Sequence, residues 1–264
     1  MVDLCTFCDG PLDDSLEHIL LSAIGGRKCS RDVVCDDHNH EFGETIDAVL
    51  ASQLALFGNL LAIRTGRNQP AATIRGLQTG DGVRVDLEPG GRPVQPSSTI
   101  RDEALANGQH QIQISAKEVA RLRALTAQYL RRYDRPLENA TVEESIEPLY
   151  RPVQIDGEIG GEEAHRAIAK MGILLLASET GTGAVRGADT TAIRTFITAG
   201  GDSTGFVRMD YKTVFPEPPT LAGFPRYSHR IGAIADSETG VACAFAEFFG
   251  TFRYTVLVSE AWRG

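Results

Sequence analysis

Cys5-Thr6-Phe7-Cys8 and Cys35-Asp36-Asp37-His38 are the two stretches that decide how this chain begins to fold. Each stretch has a soft donor at either end, so one tight turn can direct both donors at the same ion. Four sulfur and nitrogen donors in two such knuckles are typical of tetrahedral structural zinc. We therefore predict that Cys5, Cys8, Cys35 and His38 bind Zn²⁺, which stabilises a segment too short to build a large apolar core.

The cysteines and histidines nearby leave this ligand set open. Cys29 is able to replace Cys35 or His38, and His40 competes for the same place. Four of the five cysteines lie within the first 35 residues, an unusual distribution for a disulfide scaffold in a chain of 264 residues. Buried thiols packed as small apolar side chains are the alternative explanation, but they leave the paired spacing unexplained.

The residues between and after the knuckles predict a ββα arrangement. Short apolar runs at 19–21 and 33–34 flank the pair Gly25 and Gly26, a pattern typical of two strands joined by a loop. After the second knuckle, apolar side chains recur at steps of three and four residues. This periodicity predicts one long helix that ends near Gly66.

The rest of the chain predicts a larger domain in which helices accompany an antiparallel sheet. The predicted strands lie at 73–77, 83–87, 111–114, 228–235, 241–249 and 252–259, and the predicted helices at 115–132, 162–178 and 189–198. A turn at Gly80-Asp81-Gly82 joins the first two strands as a hairpin. The predicted fold class is therefore α+β, with a zinc-stabilised ββα module at 1–65 and an accessory domain at 66–264 that ends in antiparallel strands.

Composition and charge limit the function classes. Hydrophobic content of 42% and charged content of 23% are ordinary for a soluble folded protein. No apolar run reaches the roughly 20 residues needed to cross a bilayer, and the first residues lack an export signal, so we expect a cytoplasmic protein with no membrane partner. The net charge of -9 argues against nucleic acid as a partner, because phosphate binding normally requires a basic surface.

Basic residues are nevertheless concentrated near the knuckles. Arg27, Lys28 and Arg31 lie close to the metal motif, and Arg64, Arg67 and Arg75 follow later in the sequence. A local basic patch is compatible with an acidic total charge. We therefore take Arg27, Lys28 and Arg31 as candidate substrate-binding residues.

The residues around the second knuckle complete a family pattern. The triplet Glu-His-Ile stands at 17–19, the pair Gly-Gly at 25–26, and Asn39 directly follows the second knuckle. The order C-x-x-C, E-H-I, G-G and C-x-x-H-N, followed by Phe-Gly and Ile-Asp, resembles the HNH endonuclease family in its zinc-binding form. The resemblance covers 5–47. It implies a nuclease in which two strands and a helix hold a catalytic cation.

The resemblance implies a role for each of three residues. His18 corresponds to the general base that activates water, whereas Glu17 and Asn39 correspond to ligands of a catalytic Mg²⁺ or Mn²⁺. Elementary chemistry supports these roles, because a hard cation prefers oxygen ligands and a histidine accepts a proton near neutral pH. Taken separately, Glu17 and His18 are more often a surface acid beside a structural histidine, and Asn39 a helix cap.

The resemblance says less about the rest of the chain. The segment 164–171 is similar to an accessory region found with this type of HNH module, and its polar residues His165 and Lys170 favour a solvent-exposed helix face. The accessory domain is a candidate for selecting DNA, for binding a protein partner, or for holding the nuclease inactive until a signal arrives. A role in bacterial restriction or phage defence rests on family analogy.

Two other function classes compete with the nuclease. A non-catalytic zinc-binding module for protein interaction suits the acidic net charge, but such a scaffold has no need of a base and two further oxygen ligands. A zinc hydrolase acting on small molecules is disfavoured, because four protein ligands leave zinc no open position. A second, weaker site for Mg²⁺ or Mn²⁺ would distinguish the nuclease from the scaffold.

Overall fold

The structure is a computed structural model that describes residues 3–80, 82–106, 109–133, 143, 153–155, 157–216 and 229–263. The chain divides into two compact units, of which the first joins 1–71 to 157–264 and the second consists of 72–156. The N-terminal segment therefore shares its core with the C-terminal part of the chain. The predicted boundary between a nuclease module at 1–65 and an accessory domain at 66–264 was placed where the motifs end. It concerns function, and it stays a prediction.

The described residues form five α-helices and ten strands, numbered along the chain. The helices are α1 (Asp36–Glu44), α2 (Ile46–Leu60), α3 (Val119–Arg132), α4 (Glu162–Thr180) and α5 (Thr191–Ala199). The strands are β1 (Ile74–Thr79), β2 (Arg84–Glu88), β3 (Arg92–Val94), β4 (Thr99–Ala104), β5 (His110–Ser115), β6 (Val153–Gln154), β7 (Val207–Asp210), β8 (Arg230–Asp236), β9 (Val241–Phe248) and β10 (Phe252–Ser259). The predicted α+β class is confirmed. No helix in this part of the chain combines the length and apolar character that crossing a membrane requires.

The N-terminal segment of the first unit is built from short backbone pairings rather than from long strands. Glu17 pairs with Ser30 across a hairpin whose turn includes a 3-10 segment at Ser22–Ile24. The strands predicted at 19–21 and 33–34 are wrong in extent, because the second arm of the hairpin ends at Ser30. The two valines at 33–34 are instead fully buried core residues.

The helical part of the N-terminal segment is broken, whereas one continuous helix was predicted. Thr45 separates α1 from α2 with φ -111° and ψ -97°, and its hydroxyl donates to the carbonyl of Glu41 at 2.6 Å. Back-bonding of this kind often bends a helix. α2 ends at Leu60, before the predicted Gly66. The predicted apolar face is confirmed in part, since Phe42, Ile46, Leu50 and Leu54 are buried whereas Leu60 is exposed.

The central element of the first unit is α4, which is buried almost all round. It packs on α2 and on an antiparallel sheet of order β7-β10-β9-β8. β9 and β10 form the predicted hairpin, in which Phe248 pairs with Phe252. Gly172 allows the close approach of helix and sheet, because a Cβ there would lie 3.0 Å from Ala244 Cβ and 3.1 Å from Val256 Cγ1. The predicted start of β8 at residue 228 lies outside the described residues.

The second unit contains two antiparallel sheets and α3. One sheet has the order β3-β2-β1-β6, and the other consists of β4 and β5. β1 and β2 form the predicted hairpin, with Leu77 opposite Val85, although Asp81 in its turn lies outside the described residues. α3 begins at Val119 rather than at the predicted Ser115.

Candidate active site and metal centre

Three cysteines and one histidine come together where the two knuckles meet. The ligand atoms of Cys5, Cys8, Cys35 and His38 all lie within 4.8 Å of one another. Cys8 Sγ lies 3.8 Å from Cys35 Sγ, and His38 Nδ1 lies 3.4 Å from Cys35 Sγ. Tetrahedral zinc with Zn–S bonds of about 2.3 Å keeps its sulfurs about 3.8 Å apart. The donor set and its spacing therefore fit a structural zinc ion.

The two other candidate ligands lie outside this cluster. Cys29 is exposed, and the exposed His40 has its Nε2 3.4 Å from a carboxylate oxygen of Glu44. α1 begins directly after Cys35, so the first turn of the helix carries His38 beside Cys35. The structure thus selects Cys35 and His38 from the alternatives that the sequence left open.

Backbone donors and one arginine support the first knuckle. The N–H groups two residues beyond Cys5 and Cys8 each donate to the cysteine sulfur at 3.4 Å. The guanidinium of Arg186 donates to the carbonyls of both cysteines. Burial raises the pKa of the Cys35 thiol to about 12. The pKa of Cys35 therefore favours the thiol when no metal is bound, and the N–H donors and Arg186 order the backbone of the first knuckle.

The hairpin brings Glu17 inside and leaves His18 near the surface. Glu17 and Ser30 exchange two backbone hydrogen bonds, of 2.9 and 3.0 Å. Successive side chains of an extended segment point to opposite sides. Glu17 is accordingly 2% exposed, and His18 is half-buried.

Glu17 is not free inside the protein but is bound by a lysine from α4. Lys170 Nζ donates to Glu17 Oε1 at 2.7 Å and to Asp47 Oδ2 at 2.5 Å. The lysine is fully buried, so the prediction of a solvent-exposed helix face for this residue is wrong. Buried charges of this kind are stable only when they are paired.

The charges of this triad influence one another. Desolvation raises the pKa of Asp47 to about 6, although the ammonium of Lys170 acts in the opposite direction. Burial by itself lowers the pKa of Lys170, but the carboxylates of Asp47 and Glu17 outweigh it and raise that pKa above its usual value. Lys170 is therefore an ammonium group at neutral pH.

His18 has the protonation state that a general base requires. Partial burial lowers its pKa, the charge of Arg67 lowers it further, and the charge of Glu17 opposes both. A histidine with a pKa below the ordinary value of about 6.5 is neutral at pH 7. Its unprotonated ring nitrogen is then available to accept a proton.

A contact that requires glycine at position 66 holds Arg67 near His18, and the charge of Arg67 lowers the pKa of His18. The N–H of Gly66 donates to the carbonyl of Ser22 at 2.8 Å, and a Cβ on Gly66 would lie only 1.9 Å from the carbonyl oxygen of Gly26. This position therefore requires glycine. Within the described part of the chain, no carboxylate pairs with the exposed Arg67.

Asn39 lies in the first helical turn and faces the residues that precede Glu17. Its Nδ2 donates to Ser15 Oγ at 2.7 Å and to the carbonyl of Leu16 at 3.2 Å. In the described residues, nothing donates to its Oδ1. The side chain is thus fixed by its nitrogen, and its oxygen remains available.

The three predicted substrate-binding residues differ in their surroundings. Arg27 and Lys28 are exposed and unpaired among the described residues, and they follow the turn of the hairpin. Arg31 is engaged by Asp14, both through an ion pair of 3.5 Å and through the backbone carbonyl. Only Arg27 and Lys28 present a free positive charge.

Three contributions to the site were not identified from the sequence. These are the buried position of Lys170, the contact of Arg186 with the first knuckle, and the pairing of Asp47 with Lys170. One signal for Lys170 was present, because it is the single charged residue within the apolar run 167–177 of α4. A lysine surrounded by apolar residues on every helical face is buried, and a buried lysine is paired. The sequence does not say with which residue it pairs.

Comparison with protein families matches residues 5–55 to the HNH endonuclease family. The match spans 51 of the 264 residues and includes the four clustered ligands together with Glu17, His18 and Asn39. No curated protein and no solved structure significantly matches the chain. Residues 5–55 of this chain are therefore similar to the HNH endonuclease family.

Proposed function

We propose that this chain is an endonuclease that hydrolyses phosphodiester bonds of DNA with the help of Mg²⁺ or Mn²⁺. The observation that carries the proposal is that Glu17, His18 and Asn39 all lie within the matched segment and that Asn39 bonds the residues directly before Glu17. The hairpin supplies the first two, and the helix turn that follows the zinc cluster supplies the third and bonds it beside them. A structural zinc ion would hold the first knuckle to the start of this helix.

Two oxygens are candidate ligands of a divalent cation. Glu17 uses Oε1 to accept from Lys170, whereas its Oε2 and the Oδ1 of Asn39 accept no hydrogen bond from the described residues. Mg²⁺ and Mn²⁺ prefer such oxygen ligands and retain several waters. A cation bound there would stabilise negative charge on the scissile phosphate and the leaving oxygen.

The chain's own contribution to the reaction is proton transfer and phosphate binding. His18, neutral at pH 7, accepts the proton of the attacking water. Arg27 and Lys28 follow the turn of the hairpin, and Arg67 lies beside His18. Their positive charges suit the binding of a phosphate backbone. They form a local basic surface despite the net charge of -9.

The biological setting is proposed by family analogy alone. A cytoplasmic role in bacterial restriction or phage defence suits an HNH nuclease, and an acidic protein would meet DNA when a protein partner or a signal recruits it. The remainder of the chain, outside 5–55, is the candidate for this recruitment.

One observation favours a non-catalytic zinc module instead. Lys170 already binds one of the two carboxylate oxygens of Glu17 without any metal ion. In that case the knuckles would present a surface to a protein partner, and the chain would bind one metal ion rather than two.

Cleavage of supercoiled plasmid DNA by the zinc-loaded chain tests the proposal. With Mg²⁺ or Mn²⁺ added, we expect nicking that falls at least about 100-fold in His18→Ala, because a general base contributes this much. His40→Ala is the matched control, since His40 is exposed and lies outside the zinc cluster. Both variants should retain the zinc content of the parent.

Each other outcome has a definite meaning. Equal cleavage by the parent and by His18→Ala would exclude His18 as the base. Absence of cleavage in the parent, together with no binding of a second metal ion, would overturn the nuclease proposal and favour the scaffold.

A further inference from the structure

We propose that Lys170 is a positioning residue of the nuclease site, which fixes the carboxylate of Glu17 for cation binding from outside the family segment. This inference rests on the proposed function. Lys170 lies far beyond the matched residues 5–55, so the family pattern does not include it.

The first support is the number of elements that meet at one nitrogen. Lys170 Nζ lies 2.7 Å from Glu17 Oε1 on the hairpin and 2.5 Å from Asp47 Oδ2 on α2. It also lies 5.6 Å from the ring centroid of Phe42 on α1, within the range of a cation–π interaction. A single ammonium group thus connects the hairpin and both helices of the N-terminal segment.

The second support is the use of the carboxylate oxygens. Lys170 donates to one oxygen of each carboxylate. Oε2 of Glu17 accepts nothing from the described residues, and Oδ1 of Asp47 is buried with no hydrogen-bond partner among them. An unpartnered, buried carboxylate oxygen is rare, and a bound ion or water is one explanation for it. The cluster therefore retains oxygen ligands for a cation while one side of each carboxylate is fixed.

The third support is the charge balance. Glu17 and Asp47 carry two negative charges against one positive charge on Lys170, all with little or no exposure to solvent. A bound divalent cation near Glu17 would be attracted by the remaining negative charge. Asp47, which shares Lys170 with Glu17, holds the ammonium group in place.

Outer residues that orient a metal ligand typically change metal affinity by about 10- to 100-fold when they are removed. We expect Lys170→Met, which keeps the length and removes the charge, to weaken Mn²⁺ binding to the zinc-loaded full chain by this factor. The measurement is the free Mn²⁺ signal in electron paramagnetic resonance, with no DNA present. Lys212→Met is the matched control, because Lys212 is exposed just after β7 and is not one of the proposed substrate-binding residues.

Unchanged Mn²⁺ affinity in Lys170→Met would overturn the proposal. Tighter binding would overturn it as well, because Lys170 would then compete with the cation for Glu17. A parent chain that binds no Mn²⁺ beyond the zinc, and cleaves no DNA, would mean instead that the proposed function itself is wrong.

Lys170→Met leaves two buried carboxylates unpaired, so folding requires a second test. Lys170→Met/Asp47→Asn removes one of these charges, and it should fold with zinc bound while still binding Mn²⁺ more weakly than Asp47→Asn alone. Equal affinity of these two variants would contradict the positioning role.

A third measurement uses the unmodified protein. The chain has only four lysines, at 28, 117, 170 and 212. With ¹⁵N-labelled lysine, the buried Lys170 should give a slowly exchanging ammonium resonance that Mg²⁺ shifts and Mn²⁺ broadens. A resonance that does not respond while Mn²⁺ is bound would overturn the proposal.

Discussion

Arg186 connects a 3-10 turn of the C-terminal part to the first zinc knuckle. Its guanidinium donates to the carbonyls of Cys5 and Cys8, and it lies 2.5 Å from a carboxylate oxygen of Asp9. These bonds order the backbone of the knuckle and place a positive charge near its thiolates. The residue therefore supports zinc binding although it lies outside the family segment.

Arg186→Gln should weaken zinc binding by about 10- to 100-fold, because Arg186 orders ligands without being one. Competition with a chromophoric chelator measures this affinity. Arg208→Gln is the control, since Arg208 is an exposed arginine that pairs with Asp210 at 3.0 Å on β7. Equal zinc affinity in both variants would show that the knuckle does not depend on Arg186.

At the scale of elements, α4 determines how the first unit is built. An apolar helix that packs on α2 and on the sheet must approach the strands closely, and Gly172 provides the space. The same helix carries Lys170 to Glu17. Packing and site geometry therefore depend on the position of one helix.

Gly172→Leu should lower the free energy of unfolding by about 1–3 kcal/mol, because overpacking forces helix and sheet apart. Chemical denaturation measures the loss. Gly43→Leu is the matched control in α1, where an added Cβ meets nothing within 4 Å. Replacement of Gly43 should be neutral or stabilising, because glycine is a poor helix former; equal losses at the two positions would contradict the packing argument.

At the scale of the molecule, the first unit is assembled from two distant parts of the chain. The segment 1–71 contributes the knuckles, hairpin, α1 and α2, and 157–264 contributes α4, α5 and the sheet. The fragment 1–71 would lack Lys170 and leave Glu17 and Asp47 unpaired. It would also expose to water the apolar side chains of α2 that pack on α4, so the segment would lose much of its buried core.

We therefore expect the fragment 1–71 with zinc to lack a cooperative unfolding transition. A chain in which a short Gly-Ser linker replaces 72–156 should unfold cooperatively and bind zinc with the affinity of the parent. Circular dichroism during thermal unfolding and zinc titration measure both. A fragment 1–71 as stable as the linked chain would show that the C-terminal part is not required for the nuclease segment.

Local patterns were predicted well, because their physics acts over a few residues. The hairpins β1–β2 and β9–β10 follow from turn residues between alternating strands. The break at Thr45 was missed, because the apolar periodicity continues through it and only the backbone dihedrals reveal it.

The sequence by itself determined the first zinc ligand pair, the α+β class and the similarity of residues 5–55 to the HNH endonuclease family, because ligand spacing and side-chain periodicity are set by neighbouring residues. Only the tertiary structure decided that Lys170 binds Glu17, because these residues are separated by 153 positions. No local pattern links them. The packing of α4 buries Lys170 near Glu17, and a buried charge requires a partner of opposite charge.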